Sequence, residues 1–170
     1  GAFLYLMAFS AQVFGFGEFA LRLSAALFGI GLIPLAFVFG RALFDARVGL
    51  VAAALIAFSI WDVEFARYAR FYSAFAFFYV LTVLSIWRYR VQSTSVGGGW
   101  LCIALALVTI TLHDLGYTLT LAFLAPLVLD PRGALREPRR LVFPFGAGFG
   151  VGVFFLAWRW WVDYLREVPV

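Results

Sequence analysis

The chain is 170 residues long and 65% hydrophobic, with 13 basic and 9 acidic residues, a formal net charge of +4 and a mean hydropathy of +0.99. Soluble domains run to roughly 45–50% apolar residues, so the composition excludes an ordinary water-soluble domain and points to a protein that crosses a membrane several times. All the basic residues are arginine; in such a protein a basic excess marks cytoplasmic loops and is no nucleic-acid footprint.

The chain opens in mid-pattern without an initiator Met or a signal peptide, and it reads as a piece of a longer protein. Residues 1–17 are apolar and aromatic but fall short of the ~20 residues a span needs. They are expected to lie as an interfacial helix on the outer face. Glu18 and Arg22 follow, four residues apart and so on one helical face. Residues 23–40 read as a span with Pro34 inside it, which membrane helices tolerate. After the charged turn from Arg41 to Arg47 comes a second span, 48–61, then a dense polar and aromatic stretch from Trp61 to Tyr72, then a third span, 71–87. Residues 92–99 are a Gly/Ser-rich linker.

The next 30 apolar residues are interrupted by His113 and Asp114. Arginines precede them at positions 88 and 90 and follow at 132, 136, 139 and 140. Both loops read as cytoplasmic, so the chain must cross an even number of times between them. Two short helices, 100–112 and 115–129, are therefore expected, with His113-Asp114 at the far turn. A sixth span, 141–158, is glycine-rich, which permits close helix approach. Beyond it, Trp160, Trp161 and Tyr164 form an aromatic belt at the outer face. Cys102 lies inside an apolar run, and as the sole cysteine it excludes an intrachain disulfide. The expected fold is all-α: one multi-spanning transmembrane helical bundle over 1–170. In this topology eight arginines and three acids lie inside, a net +5, while five arginines and six acids lie outside, a net −1.

Four separate stretches then share the outer face: Glu18/Arg22, Asp62/Glu64/Arg67/Arg70/Tyr72, His113/Asp114, and Arg159/Asp163/Arg166/Glu167. Arginine suits the planar, bidentate recognition of a phosphate. Interleaved rings suit a sugar or an isoprenoid tail. Each residue also has a plainer reading. Arg67 and Arg70 are three apart and could snorkel together to lipid headgroups. Asp62 and Glu64 could serve only to neutralise them, Tyr72 could belong to an aromatic belt, and Glu18 could be a helix-start carboxylate. His113 is the sole histidine, and a lone histidine makes a poor metal site, so no metal or other cofactor is assigned.

The stretch Glu18-Phe19-Ala20-Leu21-Arg22-Leu23-Ser24-Ala25-Ala26-Leu27-Phe28-Gly29 resembles the E-x-x-x-R-L-P-S-A-L-x-G segment of GT-C superfamily membrane glycosyltransferases. The nearest likeness is to the dolichyl-phosphate-mannose-protein mannosyltransferase-like group, which includes the aminoarabinose transferases. Gly40-Arg41-Ala42-Leu43-Phe44 with Arg47-Val48-Gly49-Leu50, then Phe65-Ala66-Arg67-Tyr68-Ala69-Arg70-Phe71-Tyr72, then Thr111-Leu112-His113 are similar to further segments of that group, in the same order. The likeness covers about Glu18 to Tyr117. It implies transfer of a sugar from a polyprenyl-phosphate carrier to an acceptor glycan, lipid or protein at the outer face of the cell membrane, with inversion. It also implies that Arg67 and Arg70 face the donor phosphate and that Arg22 pairs with an acidic first outer loop. The group's proline is replaced by Ser24. Its catalytic acid is expected upstream of Gly1, so no catalytic residue is named here and the chain alone is expected to catalyse nothing. The alternatives are a transporter or flippase for a lipid-linked anion, which would need polar residues at mid-membrane depth, and a non-catalytic membrane scaffold.

The charge asymmetry yields a test of topology. Reporter fusions in the full-length protein at Gly98 and Pro138 are expected to report the cytoplasm, and fusions after Tyr68 and Asp114 the outside. A cytoplasmic signal at Asp114 would overturn the paired short helices.

Overall fold

The computed structural model describes residues 3–68, 70–88, 96–123 and 138–167. Among the described residues all regular structure is helical. The elements are α1 (Phe3–Phe14), α2 (Glu18–Leu43), α3 (Ala46–Phe58), α4 (Ile60–Arg67), α5 (Tyr72–Ile86), α6 (Val96–Leu112), a 3₁₀ helix (Asp114–Thr118), α7 (Leu119–Ala122) and α8 (Pro138–Glu167).

Local chemistry sets the boundaries. Helix α2 carries Glu18 in its first turn and Arg41 in its last, each on the favourable end of the helix dipole. It runs through Pro34 without ending. Asp45 caps α3 by accepting a hydrogen bond from the Val48 N–H at 2.8 Å, the role a short acceptor side chain fills before a helix. The stretch expected as one helix over 48–61 is broken. Ser59 leaves the helical region at ψ 117 and ends α3, and its hydroxyl then accepts from the Asp62 N–H at 3.3 Å to cap α4. The two helices meet at a bend of 55°. Near His113 the chain reverses. Gly116 lies so close to α6 that an added Cβ would sit 2.8 Å from the Ile110 Cα, so only glycine fits there. Of the helix expected over 115–129, residues 124–129 lie outside the described residues.

Among the described residues α2 is the one helix long and apolar enough to cross a membrane; α3 and α4 pass the same test only as a bent pair. Helices α1 and α5 are apolar but shorter, at 12 and 15 residues. At 1.5 Å per residue, 15 residues reach about 22 Å, less than the ~30 Å of hydrocarbon in a bilayer.

Helix α5 sits at the centre and is apolar on every face. Its Ala74 packs with Phe3, Ala25 and Leu112. Its Leu84 packs with Leu32 and Leu35. Its Ile86 packs with Cys102, Ala106, Ile110, Leu119 and Phe123. The two fully buried hydroxyls between α5 and α6 are satisfied. Thr82 donates to the Phe78 carbonyl at 2.7 Å, Thr109 donates to the Leu105 carbonyl at 2.8 Å, and their oxygens lie 3.4 Å apart.

Helices α2 and α3 approach through Gly40 and Gly49. A Cβ on Gly49 would stand 2.5 Å from the Phe37 carbonyl oxygen, and one on Gly40 would stand 2.8 Å from the Gly49 Cα. Both neighbours are backbone and cannot swing aside. Gly49→Ala in the full-length protein is therefore expected to lower the melting temperature in detergent, consistent with an overpacking cost of about 1–3 kcal/mol. Gly150→Ala, whose Cβ would meet nothing within 4 Å among the described residues, is expected to be neutral or mildly stabilising. A Gly49→Ala variant melting with the wild type would show that the two helices are not held at this contact.

Candidate functional site

The polar and aromatic stretch from Trp61 to Tyr72 forms α4, a short connection and the first residue of α5. Helix α4 is anchored by Ala66: a Cβ added to Gly29 of α2 would come within 2.7 Å of the Ala66 Cβ. Two stretches that carry the family resemblance thus meet face to face. The next residue, Arg67, is exposed, and its guanidinium lies 3.4 Å from the Glu64 carboxylate one turn back. Asp62 sits in the first turn of α4, where its charge favours the helix dipole. So Glu64, and not Asp62, neutralises Arg67.

Arg70 is different. Its backbone N–H bonds the Tyr68 carbonyl at 2.8 Å. Its side chain is exposed, and its guanidinium has no hydrogen-bond or ion-pair partner among the described residues. Phe71 and Tyr72 then begin a tier of rings. Tyr72 lies 5.0 Å from Phe65 and 4.5 Å from Phe71, centroid to centroid. Phe71 and Phe75 each lie 5.2 Å from the His113 ring. The tier therefore joins the start of α5 to the end of α6. His113 Nδ1 accepts the Leu115 N–H at 3.0 Å, so the imidazole caps the 3₁₀ helix.

Glu18 and Arg22 form an ion pair within α2, both largely exposed. That pair and Glu64–Arg67 each stay on their own helix. Exposed pairs of this kind contribute about 0–1 kcal/mol, so an incoming anion displaces little by engaging either arginine. On α8, Arg159 lies 3.6 Å from Asp163; the side chains of Arg166 and Glu167 lie outside the described residues.

Packing sets the relative placement. The second turn of α2, the first turn of α5 and the last turn of α6 converge on the cluster of Ala25, Ala74 and Leu112. Glu18, Arg22, Tyr72 and His113 therefore all lie towards one end of the bundle. Beyond the ion pairs Glu18–Arg22 and Glu64–Arg67, Tyr72 and His113 are connected through the Phe71 ring. No hydrogen bond or ion pair links Glu18, Arg22, Asp62, Glu64, Arg67 or Arg70 to either of them among the described residues.

Phe71 and Phe75 were not singled out in the sequence, although their spacing of four residues places both on one helical face. Beside them is a groove of about 410 Å³ lined by Phe75, Ala76, Tyr79, Val80, Leu115 and Thr118. The Tyr79 and Thr118 hydroxyls meet in it at 3.0 Å. The hydroxyls of Ser24 and Ser73 are buried without a hydrogen-bond partner among the described residues. Among the described residues no three His, Cys, Asp or Glu side chains are grouped to hold a metal ion.

No curated protein and no solved structure matches the chain. The sequence model of the dolichyl-phosphate-mannose-protein mannosyltransferase family matches residues 1–126, which take in α1 to α7 and every residue of the ring tier. That match extends over most of the 170 residues, and the chain belongs to the dolichyl-phosphate-mannose-protein mannosyltransferase family.

Proposed function

We propose that the chain forms part of a multi-spanning membrane glycosyltransferase that moves a sugar from a polyprenyl-phosphate carrier to an acceptor hydroxyl, with inversion, at the outer face of the cell membrane. Family membership supports the reaction class. The observation that carries the site is the convergence of the second turn of α2, the first turn of α5 and the last turn of α6 on one cluster, against which Phe71 packs; the preceding Arg70 is exposed and has no ion-pair partner among the described residues. Glu18, Arg22, Asp62, Glu64, Arg67, Arg70, Tyr72 and His113 make up the donor-facing surface in this reading. The chain would cross the bilayer at 23–40, 48–61, 71–87, 100–112, 115–129 and 141–158, with 1–17 at the interface. The apolar side chains left bare on the outside of the bundle, such as Phe16 at 94% and Phe58 at 86% exposure, favour a lipid surround, because patches of that kind are rare on water-facing monomers.

In an inverting displacement a base takes the acceptor hydroxyl proton as the oxygen attacks the anomeric carbon. The carrier phosphate leaves with the bonding pair. Charge grows on the phosphate oxygens in the transition state, and preorganised donors aimed there lower the barrier. Arg70 fits that role best among the outer-face arginines because no carboxylate among the described residues competes for its fork. Glu18, Glu64 and Asp163 are each engaged by an arginine, which disfavours them as the base, and no residue is assigned that role.

The transporter reading has less to stand on. Thr82 and Thr109, which lie deep in the bundle, already donate to carbonyls of their own helices.

Arg70→Ala in the full-length protein is expected to reduce sugar transfer by roughly ten- to a hundredfold, the usual cost of losing a charge-assisted contact, with expression and insertion unchanged. Arg70→Lys is expected to recover part of the loss, since it restores the charge but not the two-pronged geometry. Transfer from a radiolabelled lipid-linked donor reads both. Wild-type turnover by Arg70→Ala would reduce the residue to a headgroup anchor.

A further inference from the structure

His113 carries an inference about its proton. A neutral imidazole has one nitrogen that donates and one that accepts. Here Nδ1 accepts the Leu115 N–H at 3.0 Å, so the proton of the neutral ring resides on Nε2. Nε2 has no partner among the described residues, and the side chain is only partly buried. The ring cannot readily turn over, because Phe71 and Phe75 each lie 5.2 Å from it and the Leu115 bond would be lost. The Nε2–H of His113 is thus an outstanding donor among the described residues, held in place by the ring on either side. An oxygen of a bound anion satisfies it.

We propose that His113 is a binding residue that donates from Nε2–H to a phosphate oxygen of the lipid-linked donor, and that it does not act as a base. Acting as a base would require an unprotonated nitrogen facing the acceptor, and the sole unprotonated nitrogen is committed to the backbone. The proposal rests on the sugar-transfer reading above for the identity of the anion.

Asparagine and glutamine separate the two nitrogens. The Asn side chain reaches the Nδ1 position and keeps an acceptor for Leu115, while Gln reaches the Nε2 position and keeps a donor there. In the full-length protein, His113→Asn, which keeps the cap but loses the contacts with Phe71 and Phe75, is expected to melt above His113→Gln and to raise KM for the polyprenyl-phosphate sugar about ten- to a hundredfold, with a smaller change in kcat. His113→Gln is expected to keep KM near the wild-type value and to melt at lower temperature, having lost the cap. An unchanged KM in His113→Asn would overturn the proposal and leave the residue as a cap. Loss of kcat in both variants, with KM intact and the acidic limb of the pH profile gone, would overturn it in favour of a base. A wild type that transfers no sugar from any polyprenyl-phosphate donor would sink the underlying reading instead. The binding of sugar-free polyprenyl phosphate by wild type and His113→Asn, followed by tryptophan fluorescence, would then decide the histidine's role by itself: weaker binding by Asn supports the proposal and equal binding overturns it.

Discussion

The close approach of α2 to the α3–α4 pair is the constraint on which the arrangement depends. It has two fixed points, Gly40 against Gly49 and Gly29 against Ala66. Going from one to the other covers 11 residues of α2 but 17 residues of the α3–α4 pair, about 16 Å against about 26 Å if both were straight helices. A straight continuation of α3 would carry Ala66 roughly 9 Å past its partner. The bend of 55° at Ser59 takes up part of that difference and turns α4 back towards α2, where Ala66 meets Gly29. The break in the helix therefore lets Ala66 meet Gly29 and sets where Arg67, the next residue, leaves α4. Its cost is reduced because Ser59 supplies the cap that the new helix lacks.

Helix α5 transmits the placement to the rest. Its residues enter three apolar clusters, one with α1, α2 and α6 at its N-terminal end and two that overlap along the rest of its length, one with α2 and α3 and one with α6 to α8. A helix held on all sides cannot shift along its axis without opening several contacts at once. Trp87, just past its C-terminal end, adds a hydrogen bond from Nε1 to the Ala42 carbonyl at 3.1 Å. The first turn of α5 is thereby fixed, and Phe71, Tyr72 and Phe75 with it. That rigidity suits a binding surface, since side chains locked by packing lose little entropy when a ligand arrives.

Much of this was legible in the sequence. The helical class follows from the apolar runs and the sparse charges, and the reversal near His113 follows from basic loops on both sides of one apolar stretch. The family resemblance was legible because its residues are local. What lay outside the sequence's reach was pairwise geometry. Asp62 and Glu64 look alike as partners for Arg67, and only the turn of α4 decides for Glu64. The break at Ser59 falls within a run, Val48 to Trp61, whose apolar character shows no interruption beyond one serine. Nothing in the spacing of His113 says which nitrogen faces the backbone, because that depends on the chain turning under it. Phe71 and Phe75 passed as two phenylalanines among 21; their contact with His113 joins helices forty residues apart.

The charge arrangement bears on how an anionic donor could be recognised. In the proposed topology the outer face carries a net −1, and three of its arginines are already neutralised by carboxylates on their own helices. Such a face supplies no long-range field to draw in a phosphate. A carrier held in the bilayer by a polyprenyl chain has no need of one. It arrives by lateral diffusion, so the rate advantage that electrostatic steering gives to soluble partners is not what this surface must provide. What remains for the protein is short-range and directional: an exposed guanidinium with no carboxylate partner among the described residues, and an imidazole held by the Phe71 and Phe75 rings. A surface built that way discriminates by geometry, and it leaves the bound phosphate free to depart once its charge has been compensated.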